Sequence, residues 1–186
     1  IEYGPVMKEE FRRIGGAAAA EALAVATERV PGSLRMTLAE RTRRRVGQEA
    51  FWSSPSENVL DRATAMLPRL MYERLDDLGI DFSVVYPTAG LSFHRMQDTR
   101  LRRAICRAYN VFAADQFRGL GDRVIPAAII PMYTPEEAIE ELEWAVKRGA
   151  RCILIRPAPV PGFRGPRSFA LPEFDPFWEK CVEYDV

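Results

Sequence analysis

From Asp61 onward, apolar residues fall at helical spacing and then at strand spacing, in alternation. Leu67, Leu70, Met71, Leu75 and Leu78 make one helical stripe, and Gly79 is placed to end it in a left-handed conformation. The run Phe82-Ser83-Val84-Val85-Tyr86, closed by Pro87, predicts a short buried strand. Leu101, Ala104, Ile105, Ala108 and Phe112 mark the next helix, with Asp98 as its N-cap and Gly119 and Gly121 near its end. Val124 to Ile130 predicts a second strand, with Pro126 near its start, where a missing amide does least damage. Thr134-Pro135-Glu136-Glu137 reads as a capping box, in which the hydroxyl and a returning carboxylate both satisfy free first-turn amides. The stripe Ile139, Leu142, Val146 follows and Gly149 stops it. Cys152 to Ile155 predicts a third strand ending at Arg156-Pro157, and Phe174 to Val182 a helix beyond a Pro/Gly-rich loop.

Strands that are apolar throughout, separated by amphipathic helices, imply an α/β fold with a parallel sheet and right-handed crossovers. Three such strands with both edges free would be a poor autonomous fold. The repeat stops at Tyr184-Asp185-Val186, where another strand is due, and the first residue is not Met. The expectation is a partial (β/α)8 TIM barrel, about half of the barrel being present. The N-terminal third is less regular. Gly15-Gly16 precedes a helical run, Ala17 to Arg29, that Pro31-Gly32 ends, and Leu34 to Glu49 carries Arg41, Arg43, Arg44 and Arg45. Phe51 to Asn58 reads as a loop with two aromatics, Phe51 and Trp52, that need burial. The division is therefore an irregular or helical segment over residues 1–57 and the strand–helix repeat over 58–186.

Charge narrows the partners. The 186 residues carry 26 Lys plus Arg against 26 Asp plus Glu, so no global field recruits nucleic acid or an anionic membrane. A small-molecule substrate is the expected partner, and a homo-oligomer is compatible with it. For the arginine cluster, nearby glutamates favour a solvated helix face over an anion site. No run reaches the ~20 apolar residues of a membrane span, and the Ala17 to Ala26 stretch is short and interrupted by Glu21. Cys106, Cys152 and Cys181 are odd in number and far apart, which excludes a disulfide framework and a Cys-x-x-Cys knuckle. They read as small core residues or a reactive thiol, in a reducing, hence cytoplasmic, compartment.

Ligands of parallel α/β folds bind at the carboxyl ends of the strands. That rule nominates Tyr86, Pro87 and Thr88 after the first strand, Met132 after the second and Arg156 after the third. Arg156 suits a bidentate carboxylate clamp or, equally, a salt bridge to a loop carboxylate. His94, the one histidine, suits a general base, a metal ligand or an uninvolved loop position. A multi-histidine zinc or manganese site cannot be assembled from one histidine. No Gly-x-Gly-x-x-Gly follows a strand, no Walker-type lysine is present, and no Gly-x-Ser-x-Gly elbow presents a serine.

The wording of several segments is familiar. Asn58 to Pro68, Tyr72 to Asp76, Gly79 to Phe82 and Tyr86-Pro87-Thr88 resemble the amidohydrolase-2 branch of the metal-dependent amidohydrolase superfamily. So do Arg107-Ala108-Tyr109-Asn110, Asp122 to Pro126, Pro131-Met132 and Thr134 to Ala138. This branch includes aminocarboxymuconate-semialdehyde decarboxylase and the resorcylate-type decarboxylases. The resemblance covers Asn58 to Val186 and implies a (β/α)8 barrel holding a divalent metal, zinc or manganese, in the full-length protein. The family's His-x-His pair and its later histidine and aspartate ligands find no match here, so no metal ligand and no catalytic residue is assigned to this chain. What it implies for this chain is scaffold and a substrate-side wall of Tyr86, Thr88, His94 and Arg156. Residues 1–51 do not match the family's opening strand, and read as an insertion over the pocket mouth, with the arginine cluster and Trp52 as part of a lid. The implied activity is metal-dependent hydrolysis or decarboxylation of a small carboxylated or cyclic substrate. The alternative is a non-catalytic half-barrel module completed by a partner chain.

Overall fold

Two prolines decide how the sheet is built. A computed structural model of the chain describes residues 4–26, 37–44, 59–88, 90–93, 96–162 and 164–186. In it β1 (Ser83–Val85) pairs in parallel with β2 (Val124–Pro126), and β3 (Ala128–Ile129) pairs in parallel with β4 (Ile153–Leu154). β2 and β3 follow one another through Ala127, so together they form the central strand expected over Val124 to Ile130. In a parallel ladder, alternate residues direct their polar groups to opposite neighbours. Arg123 O and Ala127 N bond β1, at 2.8 and 3.0 Å, while Ala128 N and Ile130 N bond β4, at 2.9 and 3.0 Å. Pro126 shares the parity of the second set, so its missing amide leaves the β1 pairing intact and delays the β4 ladder to Ala128. Pro87 then ends β1 two residues after its last paired position.

The helices are α1 (Gly4–Ala26), α2 (Leu38–Arg44), α3 (Val59–Met66), α4 (Pro68–Glu73), α5 (Gly90–Phe93), α6 (Thr99–Gln116), α7 (Pro135–Val146) and α8 (Asp175–Tyr184). Asp98 caps α6 by accepting from Leu101 N at 2.9 Å, as expected. Three expectations need correction. The stripe from Leu67 to Leu78 is not one helix: Leu67 is the N-cap of α4, Pro68 its first residue, and Leu67 and Leu78 are 50% and 44% exposed. Proline cannot donate the amide that would have continued α3. β1 is not a buried strand, since Phe82, Val84 and Tyr86, which alternate onto one face of the sheet, are 44%, 36% and 54% exposed. The N-terminal segment is also more regular than its sequence implied, because helix begins at Gly4 and runs on both sides of Gly16.

Gly16, at φ 66° and ψ −156°, lies in a region closed to side-chain-bearing residues, and it breaks α1 without ending it. Lys8, Glu9, Arg12 and Arg13 face solvent while Phe11 inserts into the core. Phe11 meets Phe93 and Phe112 edge to face, at 6.2 and 6.0 Å, and Phe93 meets Tyr109 at 6.1 Å. Each such ring contributes about 1.5–3 kcal/mol by burial. Ile105, Ala108 and Ile129 complete this cluster, so α1 shares a core with α6 and the central strand. A second cluster joins Ile130, Leu142, Phe174 and Phe177, and a third joins Leu75, Phe117, Leu120 and Val124. The loop 51–58, Trp52, Arg45 and residues 27–36 lie outside the described residues, whereas Arg43 and Arg44 of α2 are solvent-exposed.

The turn after β1 comes very close to the central strand. A Cβ on Gly90 would sit 2.5 Å from Pro87 Cγ and 2.6 Å from Ile129 Cδ1. Gly90→Ala should therefore cost about 1–3 kcal/mol in denaturant unfolding, and a loss below 0.5 kcal/mol would show that this contact yields freely.

Candidate functional site

Three loops leave the carboxyl ends of the strands, and a buried arginine joins two of them. Arg102 stands three residues before Ile105, in phase with the apolar stripe of α6, and its side chain is only 1% exposed. All of its nitrogens are used. Nε and Nη2 donate to the two oxygens of Glu137, at 3.0 and 2.8 Å. Nη1 donates to Met96 O and Gln97 O, and Nη2 also to Thr99 Oγ1. The guanidinium lies 3.6 Å from the centre of the Tyr133 ring. A charge buried this way is tolerated only because every donor has an acceptor. The loop ahead of α6 is thereby locked to the loop after β3.

The loop after β4 is tied to the same tyrosine. Val160 and Arg167 form an antiparallel bridge, which folds the Pro/Gly-rich segment back on itself. Arg167 donates to Tyr133 O and pairs with Glu173 at 2.9 Å. Tyr133 thus has Arg102 against its ring and Arg167 on its carbonyl. The loops after β1, β3 and β4 form one connected shelf.

Beneath the shelf, Asn110 does the work of a missing strand. Its Oδ1 accepts from Ile129 N at 2.8 Å and its Nδ2 donates to Ile129 O at 3.0 Å, on the side of the central strand that Pro87 deprives of a ladder partner. Nδ2 also donates to Glu141 Oε1, whose carboxylate accepts from Arg107 Nε. Burial pushes the Glu141 carboxyl above its ordinary value, against the lowering effects of Asn110 and Arg107.

The capping box of α7 is half formed. Thr134 Oγ1 accepts from Glu137 N at 3.2 Å, but the Glu137 carboxylate goes to Arg102 instead of returning to the cap. The Glu136 carboxyl is held below its ordinary value by its own backbone amide and then by the Thr134 hydroxyl.

The nominated residues are distributed as follows. Arg156 is half-buried just past β4, and its side chain has no hydrogen-bond or ion-pair partner among the described residues; its carbonyl accepts from Ala158 N at 2.8 Å. The Tyr86 hydroxyl lies 3.9 Å from the Sγ of Cys152, the residue before β4, and that contact raises the phenol's pKa. Thr88 is exposed, and Pro87 is buried. Met132 is 2% exposed inside the α7–α8 cluster, so it packs the core and does not line the strand ends, a correction to its nomination. His94 lies outside the described residues. Cys106 and Cys181 are buried thiols raised by desolvation, which makes them inert core residues. Among the described residues no group of three or more His, Cys, Asp or Glu could hold a metal ion, so these residues do not fit the family's metal centre. Sequence reasoning missed Arg102, Asn110, Tyr133 and Arg167; the one available signal was Arg102's phase with the stripe.

Comparison with known proteins bears on the whole arrangement. The chain is 29% identical to a crystallised amidohydrolase from Mycobacterium avium subsp. paratuberculosis K-10, with a TM-score of 0.61 over 84% of this chain and 41% of that one. It is 21% identical to 2,6-dihydroxybenzoate decarboxylase from Rhizobium, with a TM-score of 0.54 over 84% of this chain and 45% of that one. A 2,6-dihydroxybenzoate decarboxylase complexed with 2,6-dihydroxybenzoate gives 22% identity and a TM-score of 0.55, with the same coverage, 84% and 45%. The chain spans less than half the length of these solved structures. No curated protein matches it significantly in sequence. The amidohydrolase family model matches residues 66–186, from α3 through all of the strand–helix units. The chain therefore belongs to the amidohydrolase family, in the amidohydrolase-2 branch of the metal-dependent amidohydrolase superfamily.

Proposed function

We propose that the protein is a metal-dependent hydrolase or decarboxylase of a small carboxylated or cyclic substrate, built on a (β/α)8 barrel of which these strands form part. Family membership and the parallel strand–helix units support that reading. This chain supplies scaffold and one wall of the pocket. A divalent metal, zinc or manganese, would supply a Lewis acid, and its ligands would come from outside the described residues.

The observation that carries the proposal is Arg156, a half-buried guanidinium at a strand's carboxyl end with its donors unclaimed by described residues. Such a fork matches a carboxylate bidentately. Thr88, Tyr86 and His94 are proposed as orienting groups, and α1, through Phe11 against Phe93, as a cover over the loop after β1. The free thiols support a cytoplasmic setting, and no described helix is long and apolar enough to cross a membrane.

Arg156→Met in the intact enzyme should lower kcat/KM on an acidic substrate by about 10- to 100-fold, the value of a charge-assisted bidentate contact. Unchanged kinetics on acidic substrates would remove Arg156 from the pocket. Metal analysis of the intact protein tests the reaction class, and a preparation without stoichiometric metal and with full activity would sink it. Among the described residues β1 has no strand on the side away from β2, which favours completion of that edge by further strands. Supply of those strands by a partner chain is the second reading, that of a non-catalytic module; sedimentation would detect it as an obligate complex.

A further inference from the structure

α6 and α7 are clamped together along their first halves and part company beyond. Arg102 pairs with Glu137, Arg103 with Glu140 and Arg107 with Glu141. Past the last of these rungs Arg107 still stacks on Trp144, at 4.3 Å, and beyond it the small residues Ala113, Ala114 and Ala145 leave a gap. A cavity of about 450 Å³ results, between the two helices and the central strand. It lies at the amino ends of the strands, bounded by the Gly119–Gly121 and Gly149–Arg151 turns.

We propose that this cavity binds a small organic anion, with an apolar body and a carboxylate or sulfonate head. The volume falls within the roughly 300–1,000 Å³ typical of small-molecule sites. Phe117, Val124 and Ala128 offer an apolar floor. The ionisable residues of its lining are Arg118, Arg148, Arg151 and Asp115, three cations against one anion. The carboxyl ends of α6 and α7 add about half a negative charge each, which still leaves the mouth positive. Among the described residues Arg118 pairs with Asp115 alone, in an exposed pair three residues apart, a weak contact that an incoming carboxylate can displace. Arg148 lies 3.9 Å over the Trp144 ring, which keeps that guanidinium flat at the cavity rim. Both strand–helix units that form the cavity are described, so it does not depend on what adjoins the open edge of β1.

The test is titration of the intact protein with anilinonaphthalene sulfonate, followed by fluorescence, with benzoate and inorganic phosphate as competitors. Arg148→Met, Arg151→Met and the cavity-filling Ala114→Phe should each weaken one probe site at least about tenfold, with circular dichroism unchanged. Benzoate should displace the probe from that site and phosphate should not. Should one variant fail to fold, the other two decide. Unchanged affinity in the folded variants overturns the proposal, as does displacement by phosphate at concentrations where benzoate has no effect.

Discussion

Arg102→Met should be the most damaging single substitution in the described core. It strands the Glu137 carboxylate, whose side chain is 5% exposed, and removes the donors of Met96 O and Gln97 O. Breaking a buried pair from one side costs about 3–5 kcal/mol, because the remaining charge stays desolvated. For a chain of this size that lowers the melting temperature on the order of 10 °C. The double variant Arg102→Met/Glu137→Leu should recover part of the loss, since apolar replacement of both partners leaves no orphan charge. Calorimetry of the two singles and the double would decide. A single variant that melts within 1 °C of the parent, or a double no better than the sum of the singles, would show that the pair is not the shelf's support. Hydrogen exchange adds a local readout: amides from Met96 to Thr99 should lose protection in Arg102→Met while those of α8 keep theirs.

Asn110→Leu comes second. It preserves volume but leaves Ile129 N–H and Ile129 C=O without the partners they now have, and Glu141 Oε1 with Arg107 Nε as its remaining donor. At about 1–3 kcal/mol for each buried unsatisfied group, with partial relaxation, the expected loss is about 2–5 kcal/mol. Asn110→Asp separates geometry from charge, because it still accepts from Ile129 N but sets a carboxylate against Glu141. Burial already holds the Glu141 carboxyl above its ordinary value of 4.5, so the folded chain keeps that proton over a range in which the unfolded chain has released it. Stability therefore falls as pH rises from 4.5 through the folded-state value. A second carboxylate lifts the folded value further and widens the window. Asn110→Asp should lose more stability between acid and neutral pH than the parent does; parallel stability–pH curves would refute the pairing of Asn110 with Glu141.

The strand–helix alternation was legible because it depends on local spacing. Thr134 and Asp98 cap their helices as their chemistry dictates, and Gly119 and Gly149 adopt positive φ just past α6 and α7, as Gly79 does in the turns that follow α4. Failures arose where distant residues intervened. The Glu137 carboxylate fits the sequence rule for a capping box, yet a guanidinium thirty-five residues away in the chain offers it two hydrogen bonds in a dry site. One backbone amide at a helix end cannot compete with that. Arg102 and Asn110 received no structural role from the sequence, because nothing along the chain announces a buried partner many residues away. Arg156 stands just past β4, where the sequence put it, and the Tyr86 hydroxyl turns to Cys152.

The sequence by itself determined the order of elements, their stops and the family, because proline, glycine and capping residues act within one turn of themselves. Only the tertiary structure decided which charges are buried, that β1 pairs with β2 alone among the described residues, and that a cavity opens between α6 and α7. Those outcomes depend on pairs such as Arg102 with Glu137 and Asn110 with Ile129, brought together by folding across many residues. Their energies come from desolvation and hydrogen-bond satisfaction, which have no meaning until the surrounding core exists.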